Sequence, residues 1–130
     1  MRYAIDDAVA LWLAEEGRTV ADHQLVAPAR LRPDVMAELY RRYRRGDLTR
    51  VQALALHDGV TELKVRVLGD RVSRRVAFQL AEAADRPEIG RIEYVAVARQ
   101  QADAIVTLDP DLRAAADGVV PVAAPEDLLR

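Results

Sequence analysis

Three aspartates stand where an apolar run gives out. Asp6 closes "RYAID", Asp34 follows the apolar "LVAP" within a few residues, and Asp109 comes just after "IVT" in "DAIVTLDPDL". Carboxylate oxygens, with no cysteine in the chain, suit a hard divalent cation such as Mg²⁺ or Mn²⁺. Beside a phosphodiester, such a metal lowers the pKa of a water, orients it for in-line attack and neutralises the leaving oxygen. Grouped carboxylates repel one another and lose solvation, so a fold that gathers them needs positive charge between them. Each acid also has an ordinary structural reading. Asp6 could cap the first helix, Asp34 could favour its helix dipole, and Asp109-Pro110 could be a turn entering a helix.

The elements that must position these acids can be read from periodicity and punctuation. "RYAID" is a short strand, and "DAVALWLAEEG" a helix stopped at Gly17. "HQLVAPARL" holds a second strand, Leu25 to Ala27, ended by Pro28. From Pro33 to Gly46 the spacing of Val35, Leu39 and Tyr40 predicts a helix with proline in its first turn. "DLTRVQALALHDG" is a short helix with Asp47 or Thr49 as cap, and "ELKVRVLG" is a strand or an extended connector. "DRVSRRVAFQLAEAAD" is a helix with Val72, Val76 and Leu80 on one face, and "IGRIEYVAVARQQ" is another. The strand "AIVTL", the short helix "DPDLRAAADG", the strand "VVPVA" and a final turn "PEDLL" complete the chain. Helices alternating with short apolar strands predict one three-layer α/β domain over 1–130, its central sheet mostly parallel. Functional groups of such sheets gather at the carboxyl ends of the strands, where all three acids fall.

Composition narrows the classes. Of 130 residues, 51% are hydrophobic and 31% charged, which suits a globular chain; aromatics are 5%, so the core is aliphatic. Absence of cysteine excludes disulfides, thiolate catalysis and the usual structural zinc sites, and it fits a reducing cytoplasm. Asp6 and Asp7 interrupt the first apolar run, so it reads as neither signal peptide nor membrane span. The six glycines are scattered, without a phosphate-binding fingerprint.

Over nearly its whole length the chain resembles the PIN-domain proteins of the VapC toxin type. The resemblance is carried by "YAIDDAVALWL", "LVAPARLRPDVMAELYRRYRRG", "LKVRVLGDRVSRRVAFQLAE" and, most specifically, "EYVAVARQQADAIVTLDPDL". It implies a three-layer PIN-like fold. It also implies a Mg²⁺- (or Mn²⁺-) dependent endoribonuclease in which Asp6, Asp34 and Asp109 are the catalytic, metal-binding acids. Asp34 stands where glutamate is commoner. The implied partners are an RNA substrate, an antitoxin protein and a second copy of the chain, in the cytoplasm and away from membranes.

One position departs from the family pattern. The family's fourth acid, three residues before the tyrosine of "EYVAVA", is here Arg91, a permanent cation that cannot ligate metal. On a helix Glu93 lies about 200° round from position 91, and Glu88 is nearly a turn earlier, so neither is expected to replace the missing acid. Two readings follow. In one the nuclease survives, which the three retained acids favour; in the other the domain is degenerate and binds RNA or protein. In a variant of the second, Arg91 pairs with Asp6 or Asp109 and stands in for the metal.

Other features have more ordinary readings. "LYRRYRRGD" offers Arg41, Arg42, Arg44, Arg45 and Tyr43 as RNA contacts, or simply a solvated helix end. "DRVSRR" is a weaker version of the same cluster, whose Arg71, Arg74 and Arg75 also have the simple reading of pairing with nearby acids. His23 and His57 read as turn residues, and Trp12, Phe78 and Met36 as core.

Overall fold

The structure is a computed structural model that describes residues 1–17, 20–69 and 71–130. Asp70, read above as the start of the fourth helix, lies outside them. The chain runs β1 (Arg2–Ile5), α1 (Asp7–Glu16), β2 (Gln24–Pro28), α2 (Leu31–Arg44), α3 (Arg50–Glu62), β3 (Val65–Leu68), α4 (Arg71–Ala83) and α5 (Glu93–Gln101). It continues through β4 (Ala104–Val106), α6 (Pro110–Ala116), β5 (Val122–Ala123) and a closing 3₁₀ turn, Pro125–Leu129. The strands form a single sheet in the order β3-β2-β1-β4-β5, and every pairing is parallel. The sequence predicts a mostly parallel sheet; the described one is wholly so.

Parallel pairing sends every strand's carboxyl end to one edge. There β1 pairs with β4 as Ile5↔Val106, so Asp6 and Thr107 leave the sheet side by side. On one face α1, α2 and α3 pack against each other, and on the other α5 lies across β1, β2 and β4 with α4 against it. Tyr94 to Ala98 of α5 are all buried, as befits a helix held between a sheet and neighbouring helices. Small residues let it sit there.

Local signals explain the boundaries. α1 starts at Asp6, whose side chain accepts from the Val9 N–H, and stops at Gly17, left-handed at φ 60°. Thr49 caps α3 in a reciprocal box with Gln52. α3 runs past Gly59, where a Cβ would lie 3.2 Å from that of Ala14, so the glycine permits close packing on α1. "ELKVRVLG" resolves as a true strand, at the edge of the sheet.

Several expectations about burial are overturned. Phe78 is 59% exposed and Met36 40% exposed, and Trp12 is only partly buried against the core. α4 turns Ser73, Ala77 and Ala81 inward, with Val76 and Leu80 partly buried beside them. Val72 is exposed, and Phe78 points to solvent. His57 lies within α3 rather than in a turn. His23 does precede a strand, where its ring meets the amino terminus and the Arg130 carbonyl.

Candidate functional site

The acids at the carboxyl edge are organised by Thr107 and Arg91. Asp6 is fully buried. One of its oxygens caps α1 at 2.9 Å from the Val9 nitrogen, and the other accepts the Thr107 hydroxyl at 2.5 Å. Thr107 Oγ1 in turn accepts from the Asp109 N–H at 3.0 Å, which ties the β1 and β4 exits together. Asp109 then caps α6 by accepting from the Asp111 N–H. Asp111 itself turns away to a two-oxygen contact with Arg86. The structural readings of Asp6 and Asp109 as helix caps are thus realised.

Arg91 enters this cluster from the turn before α5. Gly90, left-handed at φ 55°, shapes that turn, and Arg30 holds it by donating Nη1–H to the Gly90 carbonyl at 3.0 Å. Arg91 Nη2 lies 2.6 Å from Asp7 Oδ1 and 3.5 Å from Asp6 Oδ2, while Nε lies 3.7 Å from Asp109 Oδ2. Its guanidinium also sits over the Tyr94 ring, 5.2 Å from the centroid. Nε is buried without a hydrogen-bond partner; the nearby Asp109 oxygen gives it charge but not a bond.

Asp34 stands one ring away. It accepts from Arg30 Nε at 2.7 Å and from the Tyr94 hydroxyl at 2.7 Å, with Arg30 also over Tyr94. The structure therefore joins Asp6 and Asp109 through Thr107, and sets Asp34 behind Tyr94 in a separate ion pair. Glu93 faces α4, where it accepts from Ser73, so it does not take the missing acid's place.

The electrostatics follow from burial. Desolvation pushes the Asp6 carboxyl above its ordinary value, with Asp7 adding repulsion, against the bonds from Thr107 and Val9 and the charge of Arg91. Burial works against the charge on Arg91, but Asp7 and Asp6 more than restore it and hold its pKa up. Burial, and then the bond to Asp34, drives the Tyr94 hydroxyl far above its usual range, so it stays a donor.

A divalent cation, implied by the family resemblance, does not fit this arrangement. The positive charge the acids need is already supplied by Arg91. Among the described residues no group of three His, Cys, Asp or Glu side chains is placed to hold an ion. Sequence reading missed Asp7, Arg30 and Tyr94. The signals were present: an acid buried in an apolar helix, an arginine four residues before Asp34, and a tyrosine three after Arg91.

The α2 cluster is largely self-neutralised. Arg41 and Arg42 bind Glu38, Arg42 also binds Glu15, and Arg45 binds Asp47. The arginine contacts hold Glu38 below its ordinary value although burial opposes this. Tyr43 rests near Tyr40, with ring centroids 6.2 Å apart. Arg44 makes no ion pair among the described residues.

No family model and no curated protein matches this chain. Solved structures do. PAE2754 from Pyrobaculum aerophilum superposes with a TM-score of 0.74 at 20% identity, covering 99% of this chain and 93% of its own. VapBC2 from Rickettsia felis, bound to a DNA fragment from its promoter, gives 0.67 at 7% identity over 95% and 98%. VapBC-1 from nontypeable Haemophilus influenzae gives 0.62 at 14% identity over 96% and 98%. The shared feature is the fold: a three-layer, PIN-like α/β/α arrangement on a parallel sheet. No helix among the described residues is long and apolar enough to cross a membrane.

Proposed function

We propose that this chain is a VapC-type PIN-like domain whose metal centre has become an internal salt bridge, so that it acts by binding RNA and an antitoxin-like partner. The observation that carries this reading is Arg91, 2.6 Å from Asp7 and within 4 Å of both Asp6 and Asp109. The cation that a metal would contribute is covalently attached to the chain and cannot be exchanged. Asp7 completes the pair by giving Arg91 a close carboxylate. The fold neighbours VapBC2 and VapBC-1 support the antitoxin partner. A Mg²⁺-dependent endoribonuclease acting through Asp6, Asp34 and Asp109 is the second reading. It is favoured by the Thr107 link that keeps Asp6 and Asp109 in register.

The two readings separate in a Mn²⁺ titration coupled to cleavage of single-stranded RNA. Wild type is expected to show no saturable uptake at millimolar Mn²⁺ and no cleavage that EDTA abolishes. Arg91→Asp is expected to bind at least roughly tenfold more tightly, because a repelling charge becomes a ligand. Metal-dependent cleavage by wild type that disappears in Asp6→Asn would establish the nuclease instead.

A further inference from the structure

We propose that the outward face of α4 is a binding surface for single-stranded RNA, with Arg71, Arg74 and Arg75 meeting phosphates and Phe78 stacking on an unpaired base. This rests on the RNA-binding part of the function proposed above. Positions 71, 74, 75 and 78 share one helical face at the i, i+3, i+4, i+7 spacing. That face lies roughly 110° round from the buried Ser73, Ala77 and Ala81. All three arginines are exposed, and Phe78 is 59% exposed.

The pairing expected of these arginines is not found: none of the three makes an ion pair among the described residues. The only acid on the helix, Glu82, lies a turn beyond Phe78. In the arginine cluster at the end of α2, by contrast, Arg41, Arg42 and Arg45 are spent on Glu38, Glu15 and Asp47. Cations without partners are the ones that gain by releasing counterions from a phosphate backbone.

The chemistry favours nucleic acid over an acidic protein. A protein interface needs an apolar centre, but this face has one ring set among arginines. Val72, the other exposed apolar residue of α4, lies roughly 110° round from the face. A lone exposed ring beside guanidinium groups is the arrangement that stacks unpaired bases. α4 also begins just past the carboxyl end of β3, on the sheet edge that carries Asp6 and Asp109. A strand laid on α4 therefore approaches that edge, where Arg91 offsets the charge of the acids.

The test is fluorescence anisotropy with a labelled oligouridylate, repeated with the matching single-stranded DNA and with duplex RNA, across a salt series. Arg74→Glu/Arg75→Glu should weaken binding at least roughly tenfold and flatten its salt dependence. Phe78→Ala should weaken it by about tenfold with the salt slope unchanged. Arg41→Gln/Arg45→Gln at the end of α2, where both arginines are already spent on Glu38 and Asp47, should change it less than about twofold. All these substitutions are at exposed positions, and unchanged thermal unfolding checks that each variant folds. Tighter binding of RNA than DNA assigns the face to RNA; equal binding assigns it to single strands in general. The proposal is overturned if wild type binds neither strand, if the α2 variant alone loses binding, or if duplex binds as well as single strand regardless of Phe78. Selective binding of a polyglutamate peptide would likewise overturn it. None of these results alters the Mn²⁺ titration of Arg91→Asp, so this inference and the salt-bridge reading fail separately.

Discussion

Removing the Asp7 carboxylate leaves Arg91, one-third exposed, without its nearest partner. Asp7→Ala is expected to cost about 1–3 kcal/mol in urea unfolding, below the range for a fully buried pair because water reaches the guanidinium. Adding Arg91→Ala should cost less than the two single losses summed, since the double variant leaves neither member of the pair without the other. Additive losses would show that the two side chains act independently. Asp6 makes a different prediction. Its folded pKa is raised, so the folded state holds the proton more tightly than the unfolded chain does. Its contribution to stability is therefore fullest below the ordinary aspartate pKa and is lost as pH climbs through the folded value. Unfolding of wild type and Asp6→Asn across pH 4 to 7 should shift the balance toward the asparagine variant as pH rises. Asp6, Asp34, Asp109 and Arg91 were all legible in the sequence. Asp7 and Tyr94 were not singled out, because Asp7 depends on a cation 84 residues away and Tyr94 on a carboxylate 60 residues away.

Two turns at the carboxyl edge fix how the elements present these residues. Gly69 ends β3 against the β2 exit, and a Cβ there would fall 2.5 Å from the Ala29 Cβ. Gly69→Ala is expected to lower stability by about 1–3 kcal/mol through backbone displacement. Ala29→Gly in the same chain should recover part of that loss in thermal unfolding, and absence of recovery would place the strain elsewhere. Elements themselves were readable because strands end in proline or acid and helices carry caps. Faces were less so. Of the α4 pattern Val72, Val76, Leu80, the last two do pack partly buried against the core, but Val72 is exposed and the small Ser73, Ala77 and Ala81 are the fully inward residues.

Across the whole molecule the chain's end is packed into its core. Leu128 is fully buried in the closing 3₁₀ turn, and its carbonyl accepts the Ala21 N–H at 2.8 Å. Leu128→Ala is expected to destabilise the fold by about 2–5 kcal/mol, measured by urea unfolding; a loss under about 1 kcal/mol would mean that the turn only rests on the surface. Sequence alone determined the layered α/β class, the strand ends and the three acids that follow them, because apolar periodicity and turn chemistry are local properties of the chain. It also exposed Arg91 as a charge out of place. Only the tertiary structure decided which charges meet. A 2.6 Å ion pair between Asp7 and Arg91, the spent arginines at the end of α2 and those of α4, unpaired among the described residues, depend on how helices pack across a sheet, and that packing sets distances no linear spacing encodes.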